Sequence, residues 1–454
     1  FRILTVIDNC TRECLALVYT AHGRGDRNLF KAFVELAPHV LTPGGRIGAL
    51  VPAAFGSDLG MADLRGLYLE HLRVESWTCF ENRQKHFDID SRYKFGLLFA
   101  SRVNGGTRAI EVRNFAAHPS EVDADHVRLT REEIETIGGP HQMLPELVSD
   151  TERSILVQML RGGTGFFDNG ALGRVRYRRE VDLTLGRKTG AFWHVTEKAP
   201  EGWDLFATTS ELVPVLEGRM VGQYDCFQKS WVSGQGRRAV WESNSDRAVS
   251  QCQPQFVAPA QRERPSRVAV CDVTSATNTR TVLATLVPAT WLCGNTAPVL
   301  EFSSEDLALA GLGVLNSMIF DWMARRMVGG LHLNKFCLER LAWPAFNSDA
   351  VRRLAEHAKA ITSSHPRGGR SDTNARSSVE QDDLRRRLAL IEYEVALAYG
   401  LNASQVEAMF SQDRSDRRGF WRHFASDQSA VRVAQTTISA LRAGFPPPGS
   451  RLAA

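Results

Sequence analysis

Cys79-Phe80-Glu81-Asn82-Arg83-Gln84-Lys85-His86-Phe87-Asp88-Ile89-Asp90-Ser91-Arg92-Tyr93-Lys94-Phe95-Gly96-Leu97-Leu98-Phe99-Ala100 is the stretch from which the chain can be parsed. An apolar strand ends at Phe80, a charged loop with one large aromatic at Phe87 follows, and a second apolar strand runs from Phe95 to Ala100. A lone Phe among charges is either a ring held out to meet something flat or one packed back on the sheet edge. Upstream, Leu29, Phe33, Leu36 and Val40 recur at helical spacing, Pro43-Gly44-Gly45 stops that helix, and Arg46 to Pro52 is a buried strand. Helix, glycine turn and apolar strand make half of a parallel α/β unit. The pattern adds a helix over 62–71 and strands over 74–80, 95–101 and 109–115.

The chain has 454 residues, enough for two to four domains, with 43% hydrophobic and 23% charged residues, the balance of a soluble globular protein. A net charge of +4 does not announce nucleic acid, so local clusters must carry that argument. Eight cysteines lie scattered with no Cys-x-x-Cys pair, which reads as reduced thiols in a cytoplasm and argues against zinc. The most apolar run, Leu307 to Ala324, contains Asn316 and Asp321 and reads as a buried helix, not a membrane span.

The loop "FENR-x-x-x-F" with "YKFGLLFA" after it, and "DRNLFKAFVELA" and "GGRIGALVPAAFGSD" before it, resembles type IIG restriction-modification and BREX-type DNA methyltransferases. Three further elements extend the resemblance. "LVPVLEGRMVGQYD" matches at Glu217, Gly218, Arg219, Met220, Tyr224 and Asp225; "RVAVCDVTSATNTRTVLATLVP" at Arg267, Asp272, Thr277, Asn278, Arg280 and Thr281; and an "LNS-x-x-F-D-x-x-x-R" element at Leu315, Asn316, Ser317, Phe320, Asp321 and Arg325, followed by Gly329, Gly330, Leu333 and Asn334. It implies an α/β fold followed by α+β: the second half of a methyltransferase-like doubly wound sheet, then a mixed target-recognition domain and C-terminal helices. The expected boundaries are 1–20, 21–118 for a partial catalytic domain, 119–350 for target recognition, 351–440 for helices and 441–454 for a disordered tail.

The implied activity is methylation of adenine N6 in double-stranded DNA with S-adenosylmethionine as donor, as in restriction-modification or phage defence, with Phe87 stacking on the flipped adenine. The chain shows neither a Gly-rich cofactor loop after a first strand nor an Asn-Pro-Pro-Tyr-like motif, and Gly23 and Gly25 read as a plain loop. It is therefore expected to be inactive alone; the alternative is a non-catalytic DNA-binding remnant of a gene interrupted by a mobile element. Residues 1–18 resemble the integrase core of insertion-sequence transposases, with Asp8 in the place of the first metal-binding aspartate, but the two other carboxylates have no counterpart and Asp8 also reads as a turn residue.

The DNA-binding candidates follow from charge and resemblance together. Between Arg153 and Gly190, eight basic residues, Arg174, Arg176, Arg178, Arg187 and Lys188 among them, stand against Asp168, Glu180 and Asp182, interleaved with Phe166, Phe167, Tyr177, Phe192 and Trp193. Arg219 belongs to the EGRM motif. Asn278 and Arg280 sit in the polar turn 274–279, where they either contact DNA or brace the turn. Arg325, Arg326, Asn334 and Lys335 flank a Gly pair, as phosphate ligands or as cations favoured at a helix C-terminus. His332 reads as a packed histidine. Ser363 to Gln381 reads as a mobile loop between helices, Leu384 to Gly400 as a helix closed by Gly400, and Thr130 as the start of a capping box.

Overall fold

The computed structural model describes residues 2–7, 14–19, 29–89, 91, 93–123, 125–199, 211–244, 252–264, 266–276, 278–328, 330–364, 378–410 and 427–447. Asp8, Gly23, Gly25, Thr277, Gly329, the 365–377 segment, the "RRGFWRHF" segment and the tail from 448 lie outside these residues. The chain divides into two compact units whose boundary falls between Arg161 and Gly162.

The first unit carries strands β1 (Arg2–Ile7), β2 (Cys14–Tyr19), β3 (Arg46–Pro52), β4 (Arg73–Glu81), β5 (Lys94–Ser101), β6 (Ala109–Ala116) and β7 (Val127–Thr130). Its longer helices are α1 (Leu29–Val40), α2 (Ala62–His71), α3 (Arg131–Gly138) and α4 (Asp150–Gly162). Strands β3 to β7 form one sheet in the order β3-β5-β4-β6-β7, and β1 and β2 pair with each other. β5 runs antiparallel between β3 and β4, and only β4 and β6 are parallel. The expected α/β unit is thus present as a mixed sheet, because the loop carrying Phe87 sends β5 straight back beside β4.

Ile47, Ala49 and Val51 are buried at alternate positions along β3, the period-2 pattern of a half-buried strand. The expected face of α1 is corrected. Leu36 and Val40 are exposed, and the buried stripe is Val34, Ala37 and Leu41, held by the Tyr68 hydroxyl donating to the Val34 carbonyl at 2.9 Å. Apolar residues lie on both sides of this helix, so spacing alone could not choose between the two stripes. Thr130 opens α3 with the expected capping box to Glu133.

In the second unit, strands β8 (Thr164–Gly165) and β19 (Ala342–Trp343) pair with each other. β9 (Arg176–Arg178), β15 (Arg267–Val270), β16 (Ala284–Leu286) and β18 (Val299–Glu301) form an antiparallel sheet in the order β16-β15-β18-β9. β10 (Trp193–His194), β11 (Leu212–Leu216), β14 (Phe256–Pro259) and β17 (Leu292–Cys293) form a mixed one in the order β10-β14-β11-β17. β12 (Lys229–Ser233) and β13 (Val240–Ser243) make a separate hairpin. Helices α5 (Glu305–Leu315), α6 (Met318–Met327), α7 (Ser348–Ser363), α8 (Ser378–Ala398) and α9 (Gln428–Ala443) follow. The chain is therefore α/β followed by α+β with C-terminal helices, as expected.

A continuous helix over Leu307 to Ala324 is not what forms. α5 and α6 meet at a 69° bend. Asn316 causes it: its side chain accepts from the Ala284 amide at 3.1 Å and donates to the Ala284 carbonyl at 2.9 Å, satisfying the edge of β16, while Ser317 caps α6 by accepting from the Phe320 amide. Both helices are buried within the unit, and no single helix among the described residues is long and apolar enough to cross a membrane.

Candidate nucleic-acid interface

The Phe87 loop is built from Asn82. This buried side chain accepts from the Phe87 amide at 3.0 Å and donates to the carbonyls of Phe87 and Ile89. Lys85, at φ 57°, supplies the left-handed turn that lets the loop fold around it. The Phe87 ring stands perpendicular to Phe95 with centroids 4.9 Å apart, Phe95 stacks in turn on Phe80 at 5.1 Å, and Phe87 remains 39% exposed. His86 ties the loop to the Ala117 carbonyl at 2.7 Å. Phe87 thus leans on the sheet and still offers part of its ring to solvent.

Behind the loop, Lys94 pairs with Glu146 at 2.5 Å and sits over the Phe115 ring. Burial works against the Lys94 ammonium, but Glu146, with Cys79 and Glu81, more than offsets it and raises its pKa. Burial also pushes the Cys79 thiol up to about 12, so it is no nucleophile at neutral pH. Of the positive-φ glycines of the first unit, Gly44, Gly105 and Gly139 have open space where a Cβ would stand, and a Cβ at Gly106 would meet the Glu70 carbonyl at 2.8 Å, so that close approach is to the end of α2. No described cluster of His, Cys, Asp and Glu fits a metal ion.

The expected DNA-contacting residues separate into three groups. The first is internal bracing. Arg325 is wholly buried, paired with Asp321 at 2.7 Å and donating to the carbonyls of Ala276, Asn278 and Thr279. Asp321 also accepts from the amides of Thr281 and Val282. Arg326 is buried over Trp322, 3.5 Å from its ring. These two arginines therefore cannot reach a phosphate: Arg325 ties the carbonyls of Ala276, Asn278 and Thr279 to α6, and Arg326 stays on its own helix, donating to the Trp322 carbonyl at 2.7 Å. Arg280 donates to the Asn316 carbonyl at 2.6 Å, and Asn278 bonds Ser275 and Thr274 within the turn. Asn334 caps the short helix Lys335–Leu338 by accepting from the Cys337 amide.

The second group is a surface network of balanced charge. Asp272 holds His332 Nδ1 at 3.0 Å and faces Arg179 at 3.6 Å; Arg179 donates to the Tyr177 hydroxyl at 3.1 Å. Lys335 pairs with Glu339 and lies over Phe167. His332 is thus more than a packed histidine, since its side chain is 57% exposed. Arg176 and Arg178 alternate with Tyr177 on β9 and share the opposite face; Arg178 pairs with Glu301 at 3.0 Å, while Arg174, Arg176 and Lys188 are exposed without an ion-pair partner among the described residues.

The third group is where positive charge remains in excess. Arg187 reaches Gln235 at 3.1 Å and Glu197 at 3.2 Å, with Lys188 beside it. Arg219 donates to the Ala239 carbonyl at 3.3 Å and lies near the Trp241 ring. Exposed Arg238 completes the group at the turn of the β12–β13 hairpin. Neighbouring Glu217 adds little negative charge, because burial pushes its carboxyl up to about 8 against the pull of Arg219. Sequence reading did not single out Gln235 or Arg238; the signal present was Ser-Gly-Gln-Gly-Arg-Arg between two tryptophan-bearing strands.

No protein-family model and no curated protein matches the chain. Among solved structures it is similar to the type IIG restriction endonuclease BpuSI, at 11% identity and a TM-score of 0.32, over 81% of this chain and 49% of that one. It is similar to the type IIL restriction-modification enzyme MmeI in complex with DNA, at 10% identity and 0.43, over 94% and 53%. The figures for DrdV in a DNA complex are 9% and 0.37, over 76% and 40%. The chain thus spans about half the length of these proteins, and TM-scores of this size assign it to no family.

Proposed function

We propose that this chain is the target-recognising portion of a DNA-modifying enzyme of restriction-modification type, acting on double-stranded DNA in the cytoplasm. The observation that carries this reading is the meeting of Arg187 and Arg219 with Arg238 at one exposed hairpin, where Arg187 is ion-paired to Glu197. Cations gathered this way release counterions from a phosphate backbone. The motif resemblances support the same reading. Fluorescence anisotropy of the full chain on random duplex tests it: log K is expected to fall linearly with log salt, and no binding at low salt overturns it.

The motif resemblance assigns adenine to the first unit, and the Phe87 ring, braced by Phe95 yet 39% exposed, offers a displaced base a face to stack on. An aromatic platform replaces the stacking a displaced base loses. A duplex carrying an adenine opposite an abasic site should bind about tenfold better than the fully paired duplex. Phe87→Ala should abolish that preference; equal preference in wild type and variant rejects the stacking role.

A further inference from the structure

The geometry points to the β12–β13 hairpin as the base-reading element of this chain, entering the major groove of double-stranded DNA with Gln235 and Arg238 as specificity-determining side chains. This rests on the duplex-binding reading above.

The hairpin is built to present its turn. Trp231 pairs with Trp241 across the strands, and a bulge between Trp231 and Ser233 adds twist just before the turn. The buried Trp231 indole donates to the Gly234 carbonyl at 2.9 Å, anchoring the loop from inside. Gly234, at φ 75°, has the Arg238 carbonyl 2.3 Å from where a Cβ would stand, so only glycine lets the loop close. Gly236, at φ 57°, faces open space. The side chains left outside are Val232, Ser233, Gln235, Arg238 and Val240, all exposed.

A two-stranded ribbon fits the major groove, where donor and acceptor patterns distinguish all four base pairs, whereas the minor groove offers only a degenerate pattern. Gln presents the donor and acceptor pair that matches adenine, Arg the paired donors that match guanine, and valine a surface for the thymine methyl. Gln235 does not swing freely, because Arg187 holds its Oε1 at 3.1 Å from the neighbouring helical turn Leu185–Lys188. Arg187 and Arg219 reach the turn, with exposed Lys188 next to Arg187 in the same short helix, so phosphate positioning and base reading are separate jobs on neighbouring residues.

Selection of the full chain against a randomised duplex library, with Gln235→Ala, Arg238→Ala and Lys188→Ala alongside, tests this. Gln235→Ala and Arg238→Ala should each lose preference at one position of the selected motif, by about tenfold, with random-duplex affinity changed less than about twofold. Lys188→Ala should weaken binding to every sequence alike and lower the salt slope by about one. Duplex binding by the unaltered chain with a motif that survives both tip substitutions, or with no motif, overturns this inference alone. No duplex binding at all overturns the functional reading, and this inference with it. All three side chains are exposed, and unchanged thermal midpoints would separate lost contacts from lost folding.

Discussion

Arg325 shows how much a single side chain's surroundings decide. All three of its nitrogens are committed inside the protein, to Asp321 and to the carbonyls of Ala276, Asn278 and Thr279. Arg325→Met would strand the Asp321 charge and those carbonyls, and should cost about 3–5 kcal/mol in urea unfolding. Replacing exposed Lys188 should leave stability within about 0.5 kcal/mol. Gly96 is a second such position: a Cβ there would lie 2.1 Å from the Trp77 ring, which packs across from it and is itself buried. Gly96→Ala should cost about 1–3 kcal/mol through overpacking, measured the same way. Both residues stood in recognisable motifs, yet only the surroundings told a strut from a ligand.

At the level of elements, the break between α5 and α6 makes a cap and a pH-sensitive contact at once. Ser317→Ala should cost about 1 kcal/mol by removing the cap. Beside it, Glu392 on α8 accepts from the amides of Met318 and Ile319 at the start of α6. Burial pushes its carboxyl up to about 7, against the opposing pull of those amides and Arg280. A carboxyl raised in the folded state stabilises fully below its unfolded value of 4.5, and that contribution is lost as pH rises toward 7. Glu217, raised to about 8, extends the same loss upward. His357 runs the other way: burial and neighbouring arginines lower it to about 4, so its contribution is complete above 6.5 and lost as pH falls toward 4. Above pH 6.5 the carboxyls act alone. The thermal midpoint should therefore fall from pH 6.5 to 8.5, and Glu217→Gln should flatten that fall; an unchanged slope rejects the buried-carboxyl account.

Across the whole molecule, a net charge of +4 says little, because many exposed cations are already matched, as Arg352 is by Asp349 and Arg178 by Glu301. Placement decides. Arg352→Gln should leave duplex affinity within about twofold, whereas Arg219→Gln should lower it several-fold on every sequence; equal losses would make binding a matter of net charge. The sequence by itself determined the fold class, because period-2 runs such as Ile47-Ala49-Val51 and capping residues such as Thr130 are local signals that no distant contact alters. It also determined that a basic, aromatic-rich region begins after Arg153. Which stripe of α1 is buried, that α5 and α6 are two helices, and that Arg325 is a strut while Arg187 and Arg219 meet at a hairpin turn were decided only in three dimensions. Those outcomes depend on partners far along the chain, such as Ala284 for Asn316 and Gln235 for Arg187, and charge or spacing in sequence carries no record of such distances.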